Sequence, residues 1–287
     1  MRNLHFSKMH GAGNDFVVID ATRDGVELDA AQIQFLCDRH LGIGADQLLL
    51  VQASLRPDCD FHYRIFNCDG QEVEQCGNGA RCFAKFVQQK QLTSKRRIRV
   101  HTIKGVIEPE LLPDGRVRVD MGAPNFLWSQ FPFLTQGLEK RCVNQSEQFA
   151  LSVGAANVWV SPVSMGNPCA TVFVDHLDGY EVASIGSALG THRAFPSGAN
   201  IAFLQVIDRK SAKIRVYERG AGETLACGTG TCAAVVAAIQ SGLCDHAVEV
   251  DARGGSLLIE WDGNKNSSVF LTGPAKHVFD GEITLEG

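Results

Sequence analysis

Along most of the chain, apolar and polar residues alternate over short runs. That is the spacing of strands with one buried face. In the first half such runs fall at 16–20, 48–51, 61–66, 98–102 and 116–121. In the second half they fall at 158–161, 171–174, 201–206, 213–217, 247–250, 256–261 and 269–272. Gly and Asp punctuate them, as at Pro113-Asp114-Gly115 and Asp262-Gly263-Asn264, so hairpins and a largely antiparallel sheet are expected. Three stretches have helical spacing instead: 30–39, 80–92 and 231–243. The last is Ala, Val or Ile at almost every position up to Gln240, so it predicts a helix buried on all sides within a shell of sheet.

The pattern repeats. Residues 64–79 (RIFNCDGQEVEQCGNG) align without a gap on 215–230 (RVYERGAGETLACGTG), and Cys76 matches Cys227 at an offset of 227 − 76 = 151. Gly122 and Gly273 keep the same offset (273 − 122 = 151). Upstream the match is weaker: Gly13-Asn14 aligns with Gly166-Asn167, and Gly44-Ala45 with Gly198-Ala199. A tandem of two is too short for a solenoid. The expected fold class is α+β, with two pseudo-symmetric domains, each a largely antiparallel sheet wrapped around a central helix, and an active site in the cleft between them. The expected halves are 1–124, carrying Cys76, and 125–274, carrying Cys227.

Composition narrows the function classes. The 45% hydrophobic and 21% charged fractions are those of a globular protein with its own core. Net charge is −5, and the only basic run, Lys95-Arg96-Arg97-Ile98-Arg99, alternates into an apolar stretch and reads as an exposed strand edge. No nucleic-acid or membrane partner is expected. The longest apolar run, 232–239, is far short of a membrane span, and 1–16 lacks the apolar core of a signal peptide. The expectation is a cytoplasmic protein with reduced thiols. The ten cysteines include no Cys-x-x-Cys pair, so a few reactive thiols among buried, inert ones is a better reading than a zinc site or a disulfide framework.

Two of those thiols stand apart. Cys76 and Cys227 each precede a Gly-x-Gly and then a helix. Glycine allows the tight turn and a close ligand approach, and the unpaired N–H groups of the helix start attract anions. The dipole contributes only about 1 kcal/mol, roughly one pKa unit, so it cannot by itself explain removal of a carbon-bound proton. One such loop is a weak signal. Two related loops, each led by cysteine, fit a reaction that needs a base on one face of a stereocentre and an acid on the other. Cys82 and Cys232 lie inside the helices and read as packing residues.

At this point the chain resembles the diaminopimelate epimerases over essentially its full length. The resemblance is carried by MHGAGNDF near the start, GADQ at 44–47, the block from Asn67 to Arg81, SMGNP at 164–168, FPSGAN at 195–200 and YERGAGETLACGTGT at 217–231. It implies a pyridoxal-independent interconversion of LL- and meso-2,6-diaminopimelate, on the route to lysine and peptidoglycan, with no cofactor or metal. It implies Cys76 and Cys227 as the acid/base pair. It implies substrate contacts from Asn14, Gln47, Asn67, Gly77, Asn78, Asn167, Asn200, Glu218, Arg219, Gly228 and Thr229. Asn and Gln supply donors and acceptors for ammonium and carboxylate groups, and Arg219 offers a fork for a distal carboxylate. Glu218 either receives an ammonium or orients a thiol, which places it in the catalytic set as well. The resemblance also implies a homodimer and a last strand, near 275–287, that returns to the first half.

The chain departs from the family pattern at four places. Cys169 stands where His is usual, followed by Ala170 where Cys is usual, Gln71 replaces Ser, and Phe279 replaces an interface Tyr. Three other readings compete, and one of them, a related isomerase family of phenazine biosynthesis, lacks the two-cysteine pair that is present here. A proline or hydroxyproline racemase shares the two-thiol logic, but its substrate has one amino-carboxylate end and needs no distal cage of Asn67, Asn167, Asn200 and Arg219. A non-catalytic ligand-binding or thiol-redox protein is favoured only by Cys169.

Overall fold

A computed structural model describes residues 2–23, 25–73 and 77–285. The chain falls into two compact units, one built from the chain up to Asp120 and again from Thr272, the other from Met121–Leu271.

The first unit opens with β1 (Arg2–Gly11), β2 (Asn14–Ala21), α1 (Ala30–Cys37), β3 (Gln47–Ala53), β4 (Phe61–Asn67) and β5 (Glu72–Val73). It continues with α2 (Gly77–Gln89), β6 (Val100–Thr102), β7 (Gly105–Ile107), β8 (Glu110–Leu111) and β9 (Val117–Asp120). The second unit holds β10 (Lys140–Val143), β11 (Ser146–Val153), β12 (Ala156–Ser164), β13 (Pro168–Phe173), α3 (Val182–Gly190), β14 (Asn200–Asp208) and β15 (Ser211–Glu218). Then follow β16 (Gly222–Thr224), α4 (Gly228–Gln240), β17 (Ala247–Ala252) and β18 (Gly255–Glu260). β19 (Phe270–Gly273) leads out, and β20 (Lys276–Leu285) pairs antiparallel with β1.

The sheet order in the first unit is β20-β1-β2-β3-β4-β6-β7, with β5 beside β4. In the second it is β10-β11-β12-β13-β14-β15-β17-β18, with β16 beside β15. The two orders are the same motif twice. β2–β3 and β13–β14 are parallel, as are β4–β6 and β15–β17. The neighbouring pairs β3–β4, β4–β5, β14–β15 and β15–β16 are antiparallel. A parallel neighbour needs a crossover, and a helix supplies it each time: α1 and α2 in the first unit, α3 and α4 in the second.

α2 and α4 are the helices around which the sheets wrap. α2 packs on β1, β2, β3 and β9, and α4 packs on β12 through β15 and on β18. Phe83 of α2 meets Phe61 edge-on at 5.8 Å and Tyr63 at 5.5 Å between ring centroids. α1 and α3 cover separate clusters. Val17, Ile19, Leu48 and Leu50 of the sheet pack with Ile33 and Leu36 of α1. Phe149, Leu151, Ile201 and Phe203 pack with Val182 and Leu189 of α3.

The helices differ from the sequence expectation in one instructive way. Both α2 and α4 start three residues earlier than their apolar pattern, at Gly77 and Gly228, and end three earlier, at Gln89 and Gln240. The Gly-x-Gly segments form the first turn rather than a preceding loop. At the other end, Gln91 (φ 56°) and Gly242 (φ 72°) adopt the left-handed conformation that stops a helix. Leu92 N–H then reaches back to Val87 O at 2.9 Å, and Leu243 N–H to Ala238 O at 3.0 Å. The caps keep the repeat offset (242 − 91 = 151; 243 − 92 = 151).

Among strands, the 98–102 run becomes β6 only from Val100, and Ile98 is buried with its N–H on Pro109 O. α3 escaped the pattern because it contains Gly186. A Cβ there would lie 2.5 Å from the Cβ of Tyr217, so only glycine lets α3 approach β15 this closely. The basic run is met by carboxylates: Lys95 by Asp60, Arg97 by Glu110, and Arg99 by Asp58 and Glu108. Among the described residues, no helix is long and apolar enough to cross a membrane.

Candidate active site

In the second unit, Cys227 is the N-cap of α4, with extended backbone (φ −121°, ψ 114°), 5% exposed. β16 ends at Thr224, so the chain turns straight from a short strand into the helix. Gly230 packs closely inside this turn: a Cβ there would lie 3.4 Å from Cys227 Sγ and 3.2 Å from a Val216 methyl, a tight fit. The N–H of Thr231 and its hydroxyl both donate to Cys227 O, at 2.9 and 2.7 Å, and lock the first turn.

The side chains around this sulfur are those the sequence singled out. Asn200, the first residue of β14, donates its amide to Cys227 Sγ at 3.7 Å. Its carbonyl accepts the Arg219 N–H at 2.9 Å, which fixes the amide orientation. Thr229 Oγ1 lies 3.6 Å from the same sulfur. Glu218 ends β15, accepts the Thr224 hydroxyl at 2.6 Å and lies close enough to the thiol to push it up. Cys169 lies on β13 with no exposed surface and hydrogen-bonds Thr229, while its thiol lies 3.8 Å from Asn167 Oδ1. Gly228 opens α4 and is buried.

This environment keeps the sulfur protonated. Burial pushes the Cys227 thiol well above its usual value, the Glu218 carboxylate and Cys169 push it further, and only Thr229 pulls it down. Burial also pushes Cys169 up to about 12, against a hydrogen bond from Thr229. A neutral thiol whose hydrogen-bond partners are already in place is a proton donor in waiting. Arg219 follows Glu218 at the end of β15. Its side chain is exposed, and Nη1 donates to Ser197 O at 2.6 Å while its aliphatic stem packs on Gly198.

In the first unit, Cys76 lies outside the described residues, as do Glu74 and Gln75. The other singled-out residues of this half are brought together. Gly77 and Asn78 open α2, and both are buried. The hairpin turn at Ala12-Gly13 has positive φ at both residues (54° and 90°), as two-residue hairpin turns demand, and delivers Asn14 to the start of β2. Asn78 Nδ2 donates to Asn14 Oδ1 at 3.3 Å, and Gln47 Nε2 donates to Asn67 Oδ1 at 2.9 Å across the β3–β4 pair.

Sequence reasoning missed what supports these amides. Arg81, on the first turns of α2, is fully buried and donates from Nη2 to Asn78 Oδ1 at 2.8 Å. Gly11 makes room, since a Cβ there would lie 3.1 Å from Arg81 Nη2. Asp46 accepts the Asn14 amide at 3.0 Å, and Arg39 bridges Asp46 and Asp15, both at 2.8 Å. Lys8 closes on Asp15 at 2.7 Å. Burial opposes the Asp15 charge, but hydrogen bonds from Arg39 and Lys8 outweigh it and hold the carboxyl well below the usual carboxylate range. The available signal was a charged residue, Arg81, set among the apolar Ala80, Cys82, Phe83 and Ala84.

Comparison with known proteins agrees with this arrangement. The diaminopimelate epimerase family pattern matches residues 6–127 and 161–278. The chain is 52% identical over 283 residues to a diaminopimelate epimerase of Ralstonia pickettii, covering 99% of this chain and 97% of that one. It is 53% identical over 282 residues to the diaminopimelate epimerase of Chromobacterium violaceum, covering 98% and 99%. Among solved structures, a hydroxyproline epimerase of Agrobacterium vitis, bound to trans-4-hydroxy-L-proline, superposes with TM-score 0.70 at 14% identity, covering 100% of this chain and 94% of that one. A phenazine biosynthesis protein of the PhzF family from Bacillus anthracis gives 0.71 at 15%, covering 99% and 100%. Those two likenesses concern the fold.

Proposed function

The chain belongs to the diaminopimelate epimerase family and is an isomerase, and from that premise we propose that it interconverts LL- and meso-2,6-diaminopimelate with Cys76 and Cys227 as the two proton-transfer groups. Inverting a carbon centre needs proton removal from one face and delivery to the other. In this reading Cys227 is the acid of the resting enzyme and Cys76 the base, and the reverse direction exchanges the roles. Glu218 holds the proton on Cys227 by accepting from it. Thr229 and the Asn200 amide steady the sulfur when the proton has left. The N–H groups at Gly77-Asn78 and Gly228-Thr229 receive the substrate carboxylate, and their fixed dipoles offset charge that develops at the α-carbon. Asn14, Gln47, Asn67, Asn167 and Arg219 complete the substrate contacts. The thiols carry both proton transfers, so the reading calls for no cofactor. It places the enzyme in the cytoplasm, as a homodimer, in lysine and peptidoglycan-precursor synthesis.

The observation that carries the reading is Cys227: a buried thiol capping α4, with Asn200, Thr229 and Glu218 gathered around it and burial pushing it up. The repeat extends it to Cys76 (227 − 76 = 151). The test is proton exchange. The reduced protein is incubated with LL-diaminopimelate in heavy water, and deuterium uptake at the α-carbon is followed with the appearance of the meso form. Uptake and conversion are expected, and Cys76→Ala/Cys227→Ala is expected to abolish both. Exchange that survives in the double variant overturns the two-thiol mechanism, and binding with no exchange in the unaltered protein overturns the epimerase reading.

A further inference from the structure

We propose that Asp46 and Arg81 are positioning residues that set the amide orientation of Asn14 and Asn78. The inference rests on the proposed reading, in which those two asparagines contact the substrate.

The argument follows from donor and acceptor types. An asparagine amide has two nearly identical ends, one donating and one accepting, and nothing in its shape says which way it faces. Here each end of the chain of contacts is a group of only one type. Arg81 has N–H donors and no acceptor, so the atom of Asn78 that it meets at 2.8 Å must be Oδ1. The Asn78 Nδ2 is then the group that faces Asn14 at 3.3 Å, and the atom it meets must be Asn14 Oδ1. That turns the Asn14 Nδ2 toward residue 46. The Asp46 carboxylate is purely an acceptor, and it takes that amide at 3.0 Å. A donor-only group at one end and an acceptor-only group at the other leave one orientation for both asparagines. Every bond runs in the same sense, which strengthens each of them.

Arg39 sits behind the acceptor end. Its Nη2 donates to Asp46 Oδ1 at 2.8 Å, and the other carboxylate oxygen takes Asn14 Nδ2 together with the Asp15 N–H at 3.2 Å. An amide at position 46 breaks the arrangement. Its oxygen must face Arg39, so its NH2 meets Asn14 Nδ2, donor against donor. Asn14 relieves this by turning over, which then sets its Nδ2 against Asn78 Nδ2. The substrate meets acceptors where it met donors, although no site residue has changed.

Asp46→Asn is the variant that reads this, because Asp46 is largely exposed and the replacement has the same shape. Epimerisation kinetics are measured for the unaltered protein, Asp46→Asn, Asn14→Ala and the double variant. The expected result is a KM raised about tenfold by Asp46→Asn, the scale of one charge-assisted hydrogen bond, with kcat changed less than about threefold. Asn14→Ala is expected to raise KM by a similar factor, and adding Asp46→Asn to it to change KM by less than about twofold, since Asp46 acts only through Asn14. Arg81→Lys keeps the donor-only end and is expected to retain more activity than Arg81→Gln, which can present either type.

Independent, multiplicative effects of Asp46→Asn and Asn14→Ala overturn the proposal, as does an Asp46→Asn protein with unchanged KM. If the unaltered protein exchanges no α-proton, it is the epimerase reading that has failed, and that is seen before any variant is made.

Discussion

Position 81 of the first copy corresponds to position 232 of the second (232 − 81 = 151), and both side chains are fully buried. One is arginine and the other cysteine. Arg81 brings a permanent charge into the first unit and directs its fork at Gly77 O, Asn78 Oδ1 and Pro274 O. Cys232 fills space in α4, which carries no charged residue at all. The same split runs through the surroundings. Arg39, Asp15, Lys8 and Asp46 brace the first half with ions, whereas the second half gathers two buried thiols, a hydroxyl and an amide around α4. The backbone repeats down to the C-terminal helix caps, but the side chains packed around the two helices do not. One half holds charge and orients amides, the other pushes a buried thiol up, and the proposed two-faced proton transfer has use for both.

Removing the thiol tests the second half most severely. Cys227→Ser is expected to lower kcat about 10³-fold, the scale of a lost acid/base group, while the thermal midpoint moves only a few degrees. Next comes the matched pair at the repeat position. Arg81→Met leaves the Asn78 carbonyl and two backbone carbonyls without their buried donor and is expected to cost about 3 kcal/mol in urea unfolding. Cys232→Ala is expected to cost about 1 kcal/mol. Equal costs would break the contrast between an ionic and an apolar interior.

The pH limbs sharpen it further. Asp15 is held below its ordinary value, so its stabilisation is complete above the unfolded carboxyl near ~3.9 and is lost as pH falls through its folded pKa. Cys169 is pushed up to about 12, so its protonated form favours folding fully below the unfolded thiol near ~8.5, and the benefit fades as pH rises from there. Cys37 of the first unit, also at about 12, adds to the alkaline limb. Asp15→Asn is expected to flatten the acid limb of a stability–pH curve, and Cys169→Ala to flatten part of the alkaline one. The smallest effect belongs to the Arg–Glu pairs that both halves share, Arg64–Glu72 and Arg215–Glu223, each bidentate and partly exposed. Glu72→Gln and Glu223→Gln are each expected to cost at most about 1 kcal/mol by denaturant titration.

Much of this was legible in the chain. The gapless match around the two cysteines foretold repeated halves, and the apolar run after Cys227 foretold a helix buried on all sides. Asn200, Thr229 and Glu218 were singled out from sequence, and all three meet at Cys227. The misreadings have physical causes. Glycine lowers helix propensity, so the first turns of α2 and α4 and the whole of α3 were hidden behind Gly77, Gly228 and Gly186. Tertiary contact overrode propensity in each case, most plainly where Gly186 admits Tyr217. Arg219 was read as a fork for a carboxylate, and one of its nitrogens also reaches Ser197 O, a partner that pattern alone cannot name.

The division is therefore between what is local and what is not. The strand and helix periods, the repeat, the family and the two matched Cys-Gly-x-Gly turns could be read from the chain alone, because periodicity and turn composition are properties of neighbouring residues. What the folded chain alone decided is that the Cys227 thiol is pushed up and that Asn14 and Asn78 face one way. Both depend on burial and on partners far along the chain, such as Glu218 and Cys169 for the sulfur and Asp46 and Arg81 for the amides. Desolvation and donor–acceptor polarity act through space, and they take their values only once the sheets have closed around the two helices.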